Sequence, residues 1–93
     1  MRRYEATFIF RNEEESIDRG RKAVAERLEE NGIELIKEED MGERALAYEI
    51  ENQDRGHYFM YELESSPEKI QAIDRTLLIR DEILKYLVVL KDA

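Results

Sequence analysis

Hydrophobic and polar positions alternate at the start of the chain. In RYEATFIFR, residues 3–11, Tyr4, Ala6, Phe8 and Phe10 share one face and Arg3, Glu5, Thr7 and Ile9 share the other. That period of two predicts a strand with one buried side. After the polar NEEES of residues 12–16, which offers capping residues, the period changes. Ile17, Gly20, Val24 and Leu28 recur at helical spacing and predict a single buried stripe. Asn31-Gly32 then supplies a glycine suited to the left-handed position after a helix. Residues 33–50 read as a second strand, interrupted near Asp40–Gly42, with Leu46, Tyr48 and Ile50 on the helix-covered side. ENQDRG, residues 51–56, predicts a turn with Gly56 as its positive-φ residue. Residues 57–64 alternate again, with Phe59, Tyr61 and Leu63 against Tyr58, Met60, Glu62 and Glu64. Ser66-Pro67 is a strong helix start, and Ile70, Ile73 and Leu77 give that helix its buried stripe. Residues 84–90 form the last strand.

The order βαββαβ predicts an α+β fold: a single ferredoxin-like domain over residues 1–93. It would have a four-stranded antiparallel sheet in the order 4-1-3-2 and two helices on one face. The other face is open, and a strand in such a layer should show polar residues there. The last strand does not. Leu87 and Val89 lie opposite Tyr86, Val88 and Leu90, and on the third strand Tyr58 and Met60 lie opposite Phe59 and Tyr61. An exposed apolar patch marks a protein partner, so Tyr58, Met60, Leu87 and Val89 are the candidate partner surface. The plainer alternative is a scatter of ordinary surface apolars.

Charge adds a second pattern. The net charge is −8 over 93 residues, 41 % of which are charged. That average argues against a free-standing nucleic-acid binder. The distribution is uneven, however. Residues 1–11 hold three arginines and one glutamate, residues 33–55 hold eight acids and three bases, and residues 67–93 are balanced. In the predicted topology the first and last strands are neighbours, so the fold segregates what the sequence scatters. There are no cysteines, which excludes disulfides, thiolate nucleophiles and cysteine-based zinc sites. No apolar run approaches the roughly 20 residues of a membrane helix. Met1-Arg2-Arg3 leads into a charged strand rather than the apolar core of a signal peptide. No membrane association is expected.

No catalytic constellation assembles. His57 is the only histidine and reads as a packing or hydrogen-bonding residue. Glu13–Glu15 and Glu38–Asp40 are charge runs whose members point in different directions. The four glycines, at 20, 32, 42 and 56, are isolated and build no phosphate loop. The chain is therefore expected to be no enzyme, with no cofactor, metal or small-molecule substrate. Arginines and tyrosines can reach phosphates and stack on unpaired bases, which makes Arg2, Arg3, Tyr4, Arg44, Arg80 and Lys85 the residues to watch. The third strand, HYFMYELE, departs from the basic-aromatic signature of classical RNA-recognition strands and ends acidic.

The start RRYE, the segment DMGERALAYEI, the strand GHYFMYELE and the ending LLIRDEILKYLVVLK together resemble the bacterial small-subunit ribosomal protein six family, over essentially the whole chain. The most specific piece is Gly42, Arg44, Leu46, Ala47, Tyr48 and Ile50. The resemblance implies a structural role on cytoplasmic ribosomes. It also implies binding to the central domain of small-subunit ribosomal RNA together with ribosomal protein eighteen, whose positive charge offsets the acidic body. Arg2, Arg3 and Tyr4 match the family's basic-aromatic start and Arg44 its hairpin arginine. Arg80 and Lys85 stand where the family places bases. Met41, Glu43 and Glu49 depart from the family's usual Trp, base and Pro, and the chain stops at Ala93, short of the tail many members carry. The competing expectation, of a different class, is a ferredoxin-like regulatory or ligand-binding domain that homodimerises through its open sheet.

Overall fold

The computed structural model of the chain describes residues 1–77 and 80–91, with the side chains of 74–77 outside the description. The elements are β1 (Arg2–Arg11), α1 (Glu14–Glu30), β2 (Glu34–Ile50), β3 (Gln53–Ser65), α2 (Pro67–Leu77) and β4 (Ile83–Leu90). All pairings are antiparallel and the sheet order is β2-β3-β1-β4, the predicted ferredoxin-like arrangement.

The core follows the sequence pattern. Tyr4, Ala6, Phe8 and Phe10 of β1 and Phe59, Tyr61 and Leu63 of β3 are buried beneath Val24 and Leu28 of α1 and Ile73 of α2. Ile17 and Ile70 pack at its margin; Leu77, expected in the same stripe, has its side chain outside the described residues. Gly20 sets the helix height, because a Cβ there would lie 2.5 Å from Phe10 Cδ1. Any other residue would lift α1 off the sheet. Gly32, at φ +66°, closes the helix as expected. The start differs: the N-cap is Glu13, which makes no side-chain cap bond. Glu14 and Glu15 in the first turn instead complement the positive end of the helix dipole.

The β2–β3 hairpin departs from the sequence reading in three ways. Its turn is two residues, Glu51 and Asn52, at φ 47° and 66°, the left-handed pair of the tightest hairpins. Gly56 lies within β3 instead, where a Cβ would come 2.4 Å from Ile9 Cγ2. Next, β2 is not interrupted near Asp40–Gly42 but bulged, with a register shift between them. The bulge then reverses which residues show on each face. Before it, Glu38 and Asp40 stand opposite Tyr61 and Phe59; after it, Glu43 stands opposite His57 and Arg44 opposite Gly56. Arg44, Leu46 and Tyr48 are thereby turned onto the open face, so the expectation of Leu46 and Tyr48 in the helix-covered core is corrected. Leu46 covers Ile9 across the space left by Gly56, while Ile50 ends the strand opposite Gln53.

Candidate nucleic-acid interface

The open face has three zones along the strands. At the β1 start, Arg3 Nε donates to Glu64 Oε2 at 3.0 Å and its Nη1 lies 3.7 Å from Glu62 Oε2. Lys91 pairs with Glu62, and with Glu5 at 3.7 Å. Lys37 and Glu39 stand 3.9 Å apart on the neighbouring stretch of β2. The hydrogen bond from Lys91 holds the Glu62 carboxyl below its ordinary range, and the bond to Glu64 pushes Arg3 further up. This zone is a neutralised lattice in which each cation already has its carboxylate.

The middle zone is apolar. Thr7 stands between Met60 of β3 and Leu87 of β4, and Val89 lies opposite Glu5. Leu87 is 60 % exposed and Val89 46 % exposed, although both sit within a regular strand. Alternation forces this. Tyr86 and Val88 face inward against the core, so their strand neighbours must face out.

The far zone joins residues that are distant in sequence. Lys85 Nζ donates to the Tyr48 hydroxyl at 2.9 Å and lies 5.2 Å from the Tyr48 ring centre. That hydrogen bond raises the Lys85 ammonium above its ordinary range. The Arg44 guanidinium lies 5.9 Å from the Tyr58 ring centre, and its Nε donates to the Met41 carbonyl at 3.3 Å. Among the described residues neither Arg44 nor Lys85 has a carboxylate partner. A cavity of about 200 Å³ opens here, lined by Thr7, Ile9, Tyr58, Lys85, Tyr86 and Leu87. Two unneutralised cations, two tyrosines and a shallow cavity therefore share one end of an acidic protein.

The helix-covered side is different in kind. Arg21 is bonded to Glu38 at 2.8 Å and lies 4.8 Å over the Phe59 ring. Burial, and then Glu38, push the Tyr61 hydroxyl far above its usual range. Among the described residues Glu14, Asp18, Glu26 and Glu29 of α1 form no salt bridge, and neither do Glu49 and Asp54 of the β2–β3 hairpin.

The sequence candidates thus separate. Arg44, Lys85 and Tyr58 come together, and Met60, Leu87 and Val89 adjoin them. Arg3 lies in the neutralised lattice, about 20 Å along β1 from Ile9 at roughly 3.4 Å per residue. Arg2 stands beside it, exposed and opposite Ser65. Tyr4 is 8 % exposed and part of the core, and it lines a cavity with Ile70 and Tyr86. Arg80 precedes β4, where its Nε bonds Glu82 at 3.0 Å. Tyr48, 60 % exposed, is the functional candidate that alternation missed. The signal was Asp40-x-Gly42, a bulge that inverts parity downstream.

A βαββαβ chain whose four-stranded antiparallel sheet has one face covered by two helices and the other open defines the ferredoxin-like class. The profile of the ribosomal protein S6 family matches residues 3–90. Small ribosomal subunit protein bS6 of Treponema pallidum is 34 % identical over 93 residues, covering all of both chains. That of Treponema denticola is 34 % identical over 89 residues, or 96 % of each. The crystal structure of 30S ribosomal protein S6 from Thermotoga maritima superposes with a TM-score of 0.87 at 26 % identity, covering 97 % of this chain and 87 % of that one. The chain belongs to the ribosomal protein S6 family, and so to the proteins of the small ribosomal subunit, with its place on the cytoplasmic ribosome.

Proposed function

We propose that the chain binds the central domain of small-subunit ribosomal RNA jointly with ribosomal protein eighteen, and that the open sheet face is the surface used. The supporting observation is the sequence of zones on that face. An apolar strip, in which Leu87 and Val89 are exposed and Met60 is half-buried, suits a folded protein partner. The zone beside it carries Arg44 and Lys85 without carboxylates, which suits a polyanion. The acids of α1 lie on the helix-covered side, away from Arg44 and Lys85, and the net charge of −8 favours a basic protein partner. Arg2, Arg3 and Arg80 remain proposed RNA contacts at the margins, with Arg3 and Arg80 the weaker because each is already bonded to a carboxylate. The role is one of assembly rather than catalysis. Filter binding of a central-domain RNA fragment, with and without ribosomal protein eighteen, tests the reading. Retention is expected with both proteins present, and no retention in either case at low salt contradicts it.

A further inference from the structure

We infer that the far zone of the open face, around Tyr48, takes an unpaired RNA nucleotide; this rests on the RNA-binding reading above and names the form of RNA that the zone accepts. Lys85 and Arg44 have no carboxylate, so the ligand must bring the negative charge. Both cations lie beside tyrosine rings, at 5.2 Å and 5.9 Å from the ring centres. A ligand that offers only phosphate would leave those rings unused. Tyr48 is mostly exposed on a strand, where an aromatic ring normally finds a partner. The hydrogen bond from Lys85 at 2.9 Å holds the ring in place before any ligand arrives. The adjoining cavity of about 200 Å³ is lined by the apolar Ile9 and Leu87 together with Tyr58 and Lys85. A planar base with a phosphate attached meets all of these demands together.

The alternatives fit less well. Duplex RNA hides its base faces inside the stack and would engage the cations alone. A basic protein segment would be repelled by Arg44 and Lys85, and belongs on the middle strip. The bulge at Asp40–Gly42 matters here too, since without it Tyr48 would face the helix side.

The test uses the full chain with two probes at low salt: a ten-nucleotide unstructured RNA carrying one 2-aminopurine, and a ten-base-pair RNA duplex. The single strand is expected to bind at least tenfold tighter than the duplex, with quenching of the 2-aminopurine as it stacks. Tyr48→Phe should retain that affinity within about threefold. Tyr48→Leu should lose about tenfold or more and abolish the quenching, in line with the usual worth of a base–aromatic stack. Lys85→Gln should weaken binding and flatten its salt dependence by about one ion. Thermal melts of all three variants establish that the exposed substitutions leave the fold intact. Equal binding of both probes, no binding of the single strand, or a Tyr48→Leu protein that binds and quenches like the parent overturns the inference. If the larger RNA fragment is still bound jointly with ribosomal protein eighteen in those cases, the function proposed above survives; if it is not, both fail.

Discussion

The Asp40 carboxylate accepts the amide proton of Gly42 at 2.9 Å, and this contact sits at the step where β2 changes which residues it shows to the open face. The same oxygen lies 2.6 Å from Nε2 of His57 on the adjacent strand. Gly42 stands at φ +81°, a conformation that costs an L side chain energy whatever the surrounding space. One bulge thus delivers Arg44 and Tyr48 to the face where binding is proposed.

Gly42→Ala is expected to destabilise the fold by about 1–2 kcal/mol. A Cβ at this position meets nothing within 4 Å, so the penalty is one of backbone conformation alone. Urea unfolding should show a lower midpoint with an unchanged slope. A midpoint equal to that of the parent would mean that the bulge does not require glycine.

Element order, the core faces of β1 and β3, and the helix stripes were legible from periodicity, because burial imposes periods of two and 3.6 on hydrophobic positions. The far end of β2 was not. Alternation counts residues, and a bulge adds one, so strict alternation puts Leu46 and Tyr48 on the wrong face. Gly56 reads as a turn residue because glycine has two uses, and here the close approach of Ile9 is the one that applies. The apolar strip of Leu87 and Val89 is visible in LKYLVVL. The meeting of Lys85 with Tyr48 is not, since the two lie on strands at opposite edges of the sheet.

Stability should fall at both ends of the pH scale. Glu38, held low by its hydrogen bond from Arg21, and Asp40, held low by Gly42 and His57, have folded-state values below their ordinary 4.5 and 3.8. Their contribution is complete above those ordinary values and is lost as the pH drops through the depressed ones. Tyr61 is displaced the other way, above its ordinary 10.0, so its contribution is complete below pH 10 and fades as the pH rises beyond it. Denaturation midpoints across this range should show both losses. Glu38→Gln should lower the plateau and flatten the acid limb, and an unaltered acid limb would contradict the assignment.

Leu87→Lys with Val89→Lys should leave the isolated domain's stability within about 0.5 kcal/mol per site of the parent, because both side chains are exposed. The pair should weaken binding to ribosomal protein eighteen at least tenfold, since it replaces apolar contact with charge facing a basic partner. Calorimetric titration of the two proteins checks this. Unchanged affinity would remove the middle strip from the interface. The parent should also sediment as a monomer when alone; a tight dimer would favour self-association through the same strip.

Arg44→Ala with Lys85→Ala should reduce the slope of log affinity against log salt by roughly two for joint RNA binding, about one per phosphate contact. Arg3→Ala should change it less, because its guanidinium is already bonded to Glu64 and lies near Glu62. Equal effects would contradict the division of the face into a neutralised and an open zone.

The most direct measurement is the affinity of ribosomal protein eighteen for a central-domain RNA fragment, taken with and without this chain at one fixed salt concentration. Joint binding through the open face predicts an increase of at least tenfold when the chain is present, and loss of that increase with Leu87→Lys and Val89→Lys. An affinity that is the same in both conditions contradicts it.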